Sequence, residues 1–203
     1  MIIKICGITN LDDARLALEL GADWLGFNFY PRSPRYLAPE RAREIIEELP
    51  RASMAVGVFV NAGMEGVGAV LEQCPLALVQ LHGDETPEEF RKVKTLGARI
   101  MKAVRVGGPA DIGKIHDYPG EYVLLDAFRP EVYGGTGETF DWSWIAHTGG
   151  KKLLLAGGIT PDNVAEACAA GTYGLDICSG VETRPGVKNL AKMRQLFENL
   201  KHS

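Results

Sequence analysis

Much that would tie a chain to a membrane, a nucleic acid or a metal is missing from this sequence. No apolar run approaches the roughly 18 residues that a membrane span needs. The formal net charge is −4, with no basic excess and no long block of like charge, so the electrostatic footprint of nucleic-acid binding is absent. Four cysteines (Cys6, Cys74, Cys168, Cys178) lie far apart without a C-x-x-C pair. Neither a zinc knuckle nor a disulfide framework is therefore expected, no metal site is assigned, and a reduced, cytoplasmic setting fits best. The start, MIIKICGIT, leads into an acidic helix and lacks a signal-peptide pattern. A G-x-G-x-x-G after the first strand is also missing, which removes the dinucleotide-binding fingerprint.

What is present is core. Apolar residues make up 46% of 203, enough for one large domain or two small ones. The 24 glycines have no period and gather at element ends, where they read as turn residues. Short apolar runs begin near positions 2, 23, 54, 77, 99, 121, 152 and 174, separated by amphipathic stretches. Asn10 is placed to cap a helix ending before Gly21, and Glu88 and Lys92 share a helical face. Eight strands alternating with helices imply parallel pairing through right-handed crossovers. We expect an α/β chain folded as a single (β/α)8 TIM barrel over residues 1–203, compact for a fold that typically takes about 250 residues. An open doubly wound sheet is the rival.

Barrel chemistry sits where strands end. The strand-terminal residues expected here are Cys6, Asn28, Asn61, His82, Arg105, Asp126, Gly157 and Ser179. Between Leu153 and Glu182 the pattern is strand, Gly157-Gly158, helix, strand, Ser179-Gly180. Thr160 reads as the N-cap of that helix, with Pro161 at its first turn and Gly171 at its left-handed end. Two Gly-containing strand ends side by side could aim backbone N–H groups at one phosphate; for either alone, a tight turn explains the glycine equally. Taken one at a time, the polar candidates have two readings each. Cys6 is a small buried hydrophobe or a base, and Asp126 a loop cap or an acid. Arg35 is a solvated charge or an anion fork, His82 a core histidine or a pocket wall, and Asp176 a backbone partner or a ligand contact. The tryptophans read as packing.

The segments KICGIT (4–9), GFNFYPRSPRY (26–36), GVFVN (57–61), VQLHGDE (79–85), LLDAF (124–128), YGGTGETFDW (133–142), AGGITPDNV (156–164) and DICSGVE (176–182) together resemble phosphoribosylanthranilate isomerase of tryptophan biosynthesis. The likeness runs from first strand to last in order and spacing. It implies a cofactor-free Amadori rearrangement of N-(5-phosphoribosyl)anthranilate to 1-(2-carboxyphenylamino)-1-deoxyribulose 5-phosphate. It further implies Cys6 as general base and Asp126 as general acid, on well-separated strands. By the same likeness Arg35 meets the anthranilate carboxylate, His82 and Asp176 line the substrate, and Gly157, Gly158, Ser179 and Gly180 hold the phosphate. The thiol must then titrate below its usual range and the carboxyl above it; a helix start near Asn10 is one source of help for a Cys6 thiolate. The loop after Asp126, with Ala127-Phe128, is slightly longer and less polar than the common family version. The expected partner is a small phosphosugar, with no nucleic acid or membrane, and the chain acts as a monomer or homodimer.

Two rivals remain. The histidine-pathway aminoaldose isomerase runs the same rearrangement on a substrate with two phosphates. It would want a second Gly cradle after strands three and four, where this chain has Asn61-Ala62 and His82-Gly83, and an Asp at the position of Cys6. A non-catalytic phosphosugar-binding barrel would keep the glycines but need no acid–base pair.

Overall fold

The computed structural model describes residues 1–50, 54–127, 139–147 and 150–202. Eight parallel strands close into a barrel in sequence order: β1 (Ile2–Cys6), β2 (Trp24–Asn28), β3 (Met54–Phe59), β4 (Leu78–Leu81), β5 (Arg99–Val106), β6 (Tyr122–Ala127), β7 (Lys152–Leu155) and β8 (Gly174–Ile177). Around them lie α1 (Leu11–Leu20), α2 (Pro39–Glu47), α3 (Gly63–Gln73), α4 (Pro87–Lys94), α5 (Pro109–Ile112), α6 (Val164–Ala169) and α7 (Leu190–Leu200). The expected barrel is the observed one.

Local chemistry explains most boundaries. Asn10 accepts from the Asp13 N–H at 2.8 Å, and Gly21 ends α1 at φ 114°. Thr86 and Glu89 form a reciprocal capping box at the start of α4. Two expectations need correction. Helix α6 starts at Val164, not at Thr160: Asn163 bonds back to the Thr160 N–H and the Gly158 carbonyl, holding residues 160–163 in turns ahead of the helix. Ahead of β7 a brief 3₁₀ helix, Trp142–His147, follows Asp141. The last strand is not followed directly by its helix. After β8 come a 3₁₀ turn (Ser179–Val181) and a small hairpin, β9 (Glu182–Arg184) with β10 (Val187–Lys188), before α7. The GGTG stretch at 133–138 lies outside the described residues.

The period of two along each strand divides the core. Outward side chains such as Ile5, Phe27, Phe59, Leu81, Leu125, Leu155 and Ile177 pack with the helices. Trp24, Val56, Leu78, Met101, Tyr122, Leu124 and Leu154 fill the barrel interior. Into this apolar interior β1 points a lysine and β8 an aspartate. Lys4 pairs in register with Asp176, and its ammonium donates to both carboxylate oxygens at 2.9 Å, with the lysine fully buried. Burial opposes the charge, but Asp176 and Cys6 together outweigh it and hold the Lys4 ammonium above its ordinary value.

Removing one partner of such a pair leaves an uncompensated charge in the core. Lys4→Met should therefore destabilise the fold by about 3–5 kcal/mol, and Lys4→Met with Asp176→Leu should recover most of the loss. Urea denaturation of the three proteins checks this; equal midpoints for wild type and Lys4→Met would refute it.

Candidate active site

The C-terminal ends of the strands open onto one cavity walled by Cys6, Asn28, Arg35, His82, Asp126, Gly157, Gly158, Asp176, Cys178 and Ser179. The structure thus brings together every residue singled out from the sequence except three. Asn61 and Arg105, both at strand ends, are built into the wall of a neighbouring network. Asn61, at φ 51°, accepts from the Asp84 N–H at 2.7 Å and donates its own N–H to Glu85 at 2.8 Å. Arg105 pairs with Asp84, and buried Glu85 also takes the Lys102 ammonium at 2.9 Å. Gly180 is the third: it backs onto the β7–α6 loop, where an added Cβ would lie 1.9 Å from the Ile159 carbonyl oxygen.

On the β1 side the register that pairs Lys4 with Asp176 ends at Ile5 and Ile177, and Cys6 and Cys178 are the next residue on each strand's chain. The neighbouring Cys178 thiol and the positive charges of Lys4 and Lys188 pull the Cys6 thiol well below its usual range despite burial. Cys178, whose sulfur stands 4.0 Å from Glu182 Oε1, is pushed up by Cys6 and by burial. Helix α1 begins at Leu11, five positions on, with its first turn capped by Asn10. Lys188, also fully buried, reaches in from β10 to donate to the Cys6 carbonyl, and to Glu182 at 3.0 Å. Beneath the thiols, burial raises the Asp176 carboxyl to about 7, with Lys4 pulling against it.

On the β6 side Asp126 Oδ2 lies 3.0 Å from His82 Nε2, both groups buried. Gln80 Nε2 stands 2.7 Å from His82 Nδ1, and Gln80 Oε1 has no hydrogen-bond partner among the described residues. A buried amide here faces the ring with either its N–H or its oxygen, so the amide orientation and the histidine tautomer are set together.

Between the two sides lies the glycine pair. Gly157 and Gly158 have φ of 87° and 65°, a region that side chains other than glycine resist. A Cβ on Gly157 would fall 2.9 Å from Asp126 Oδ1, so the turn runs directly against the carboxyl. Asn163 clamps this loop by holding the Gly158 carbonyl at 2.9 Å and the Thr160 N–H at 2.8 Å. No hydrogen bond among the described residues engages the N–H groups of Gly157 and Gly158.

Arg35 reaches the cavity from the long loop after β2. Its Nε and Nη2 edge, however, is taken by Glu182 at 2.7–3.1 Å, a bidentate pair. Burial opposes ionisation of Glu182, but Arg35 and Lys188 win and hold it below the usual carboxylate range. The guanidinium therefore arrives fixed and neutralised at the cavity wall. Sequence reasoning missed Lys4, Gln80, Cys178, Glu182 and Lys188. For Lys4 the signal was visible: a lysine inside an apolar strand. Cys178 shares strand parity with Asp176, which would have put it in the mouth.

The family model described as N-(5'phosphoribosyl)anthranilate (PRA) isomerase matches residues 3–199. A curated N-(5'-phosphoribosyl)anthranilate isomerase of Trichlorobacter lovleyi is 49% identical over 204 aligned residues, covering 99% of this chain and 98% of its own. Among solved structures, phosphoribosyl anthranilate isomerase from Thermus thermophilus superposes with a TM-score of 0.92 at 43% identity, covering 100% of this chain and 99% of the other. A phosphoribosyl anthranilate isomerase in complex with reduced 1-(o-carboxyphenylamino)-1-deoxyribulose 5-phosphate superposes with a TM-score of 0.88 at 39% identity, covering 100% of both chains.

A lowered pKa means that the thiolate of Cys6 persists at pH values where ordinary thiols are protonated. Ultraviolet titration of thiolate absorbance should show one early-ionising group, absent in Cys6→Ser and moved to higher pH in Cys178→Ala. A wild-type titration confined to the ordinary thiol range would contradict the assignment.

Proposed function

The chain belongs to the N-(5'-phosphoribosyl)anthranilate isomerase family, and from that premise we propose how its residues divide the work of turning N-(5-phosphoribosyl)anthranilate into 1-(2-carboxyphenylamino)-1-deoxyribulose 5-phosphate. One observation carries the reading. Going round the barrel from β6 to β7, β8 and β1, a carboxyl, a glycine turn, a Ser-Gly turn and a thiol follow one another about a single cavity. A phosphate bound at the two central turns leaves the sugar between the groups on either flank.

Asp126 is the general acid. It gives a proton to the ribose ring oxygen, the C1–O bond breaks, and the anthranilate nitrogen supplies electrons to form an imine. The imine acidifies the C2 hydrogen, which the Cys6 thiolate removes as general base. The resulting enolamine tautomerises to the ketone. For Asp126 to begin protonated, His82 must accept at Nε2 and carry its proton on Nδ1, which suits the Gln80 amide turned with its oxygen inward. Gln80 thus fixes the tautomer in which His82 accepts from the acid.

Arg35, held by Glu182, offers its free edge to the anthranilate carboxylate, and Asp176 with His82 lines the ribose. Gly157, Gly158, Ser179 and Gly180 supply the phosphate cradle. The corresponding position after β3 and β4 is occupied by the Asn61, Gly83 and Glu85 hydrogen bonds, which favours a substrate with one phosphate over the two-phosphate histidine-pathway substrate. No helix among the described residues is long and apolar enough to cross a membrane. A cytoplasmic enzyme, monomeric or homodimeric, with a small phosphosugar as partner fits these features, and none of the proposed steps calls on a cofactor.

Cys6→Ser and Asp126→Asn should each lower turnover by about 10²- to 10⁴-fold with little change in KM, followed by the anthranilate fluorescence change on freshly made substrate. Rates within a few-fold of wild type for both would dismiss the acid–base assignment. Gly180→Ala should separate the β7 and β8 turns and raise KM about 10- to 100-fold, as expected for weakened charge-assisted hydrogen bonds, with kcat less affected. A fall in kcat alone would argue against a phosphate role there.

A further inference from the structure

We propose that Cys6 and Cys178 form a peroxide-reactive dithiol that closes to a disulfide across the mouth of the barrel and switches the enzyme off reversibly. The loss of activity rests on the reading of Cys6 as general base; the cross-link itself does not.

The geometry comes from the sheet. Strands β1 and β8 are hydrogen-bonded neighbours in parallel register, Lys4 opposite Asp176 and Ile5 opposite Ile177. Cys6 closes β1 and Cys178 follows β8 directly, each one residue past that last register pair. The Cys178 sulfur lies against the residue next to Cys6, 3.1 Å from where a Cβ on Gly7 would stand. Adjacent strands lie about 4.7–4.9 Å apart, so two residues just past neighbouring strand ends start near the range of about 4.4–6.8 Å that a disulfide requires between its Cα atoms. Both cysteines wall the same cavity, and both are free thiols. Lys188 ties the two strand ends together by donating to the Cys6 carbonyl and, at 3.4 Å, to that of Cys178.

The pair also divides the labour that peroxide chemistry asks of it. Cys6 is the thiolate partner and Cys178 the protonated one. A thiolate, not a thiol, attacks a peroxide oxygen. Cys6 sulfur attacks one oxygen of hydrogen peroxide, the O–O bond breaks, hydroxide leaves, and the cysteine becomes a sulfenic acid. Cys178 then attacks that sulfur, the S–O bond breaks, and the hydroxide leaves as water with the Cys178 proton. With hydrogen peroxide, two thiols and one peroxide give one disulfide and two waters. Cys74, by contrast, is buried at the end of α3 and pushed up to about 11, so it stays a thiol.

The test is titration of the whole enzyme with hydrogen peroxide, alkylation of the remaining thiols, and peptide mass mapping beside the turnover assay. Wild type should lose the mass of two hydrogens, yield one cross-linked peptide joining Cys6 to Cys178, and lose turnover in step with the cross-linked fraction. Dithiothreitol should restore both. In Cys178→Ser and in Cys178→Ala the cross-link should be absent, dimedone should trap a sulfenic acid on Cys6, and further peroxide should cause loss that dithiothreitol does not reverse. Over-oxidised Cys6 without a cross-link in wild type, a cross-link to Cys74 or Cys168, or full thiol recovery in both Cys178 variants would each overturn the inference. A fully cross-linked enzyme that still turns over would uphold the dithiol and instead remove Cys6 as the base.

Discussion

The ammonium of Lys4 is locked on the Asp176 carboxylate in the middle of the barrel, and much of the mouth's electrostatics follows from that contact. A lysine in the interior layer would be ruinous alone; paired, it becomes a fixed positive charge that cannot move away from what stands above it. Two residues further along the same strand is Cys6, whose thiolate it favours. The pair also fixes β1 against β8 in register, the seam at which the first strand meets the last. Structural closure and chemical activation thus share one salt bridge.

The rest of the mouth repeats the device: charge is admitted only where an opposite charge holds it. Glu182 is shared by Arg35 and Lys188, and Glu85 takes Lys102. The first cluster fixes an arginine in the wall of the cavity. The second fills the quarter of the mouth below β3 and β4 and makes it scaffold. What separates working wall from scaffold is whether hydrogen-bonding capacity is left over. Asn61 uses its amide oxygen and its backbone N–H on neighbours, whereas the N–H groups of the Gly157–Gly158 turn have no partner among the described residues.

This difference explains how far the residues could be read in advance. Strand positions were legible because each strand is a short apolar run cut off by a polar or glycine residue, and the ends of β1 and β2 fall where expected. The helix after β7 was set too early, since Thr160 and Pro161 carry ordinary start signals. Asn163 overrides them through two hydrogen bonds that composition does not reveal. The β9–β10 hairpin went unseen because strands of three and two residues are too short to show a period. At the site, residue type at strand ends found the acid and the base, but their neighbours come from far along the chain. Lys4 stood out as an anomaly, yet its partner is 172 positions away, and Glu182 and Lys188 become relevant only once the hairpin folds under Cys6.

Those separations bear on how the protein is born. Lys188 donates to the carbonyl of Cys6 across 182 positions of chain, so the nascent N-terminal strand waits for nearly all of its partner material to leave the ribosome. At translation speeds of roughly 5–20 residues per second that interval is about ten to forty seconds. Throughout it the thiol that becomes most acidic in the finished enzyme has none of the lysine and cysteine neighbours supplied by the last quarter of the chain. During synthesis it is an ordinary cysteine, and its reactivity arrives only when the barrel shuts.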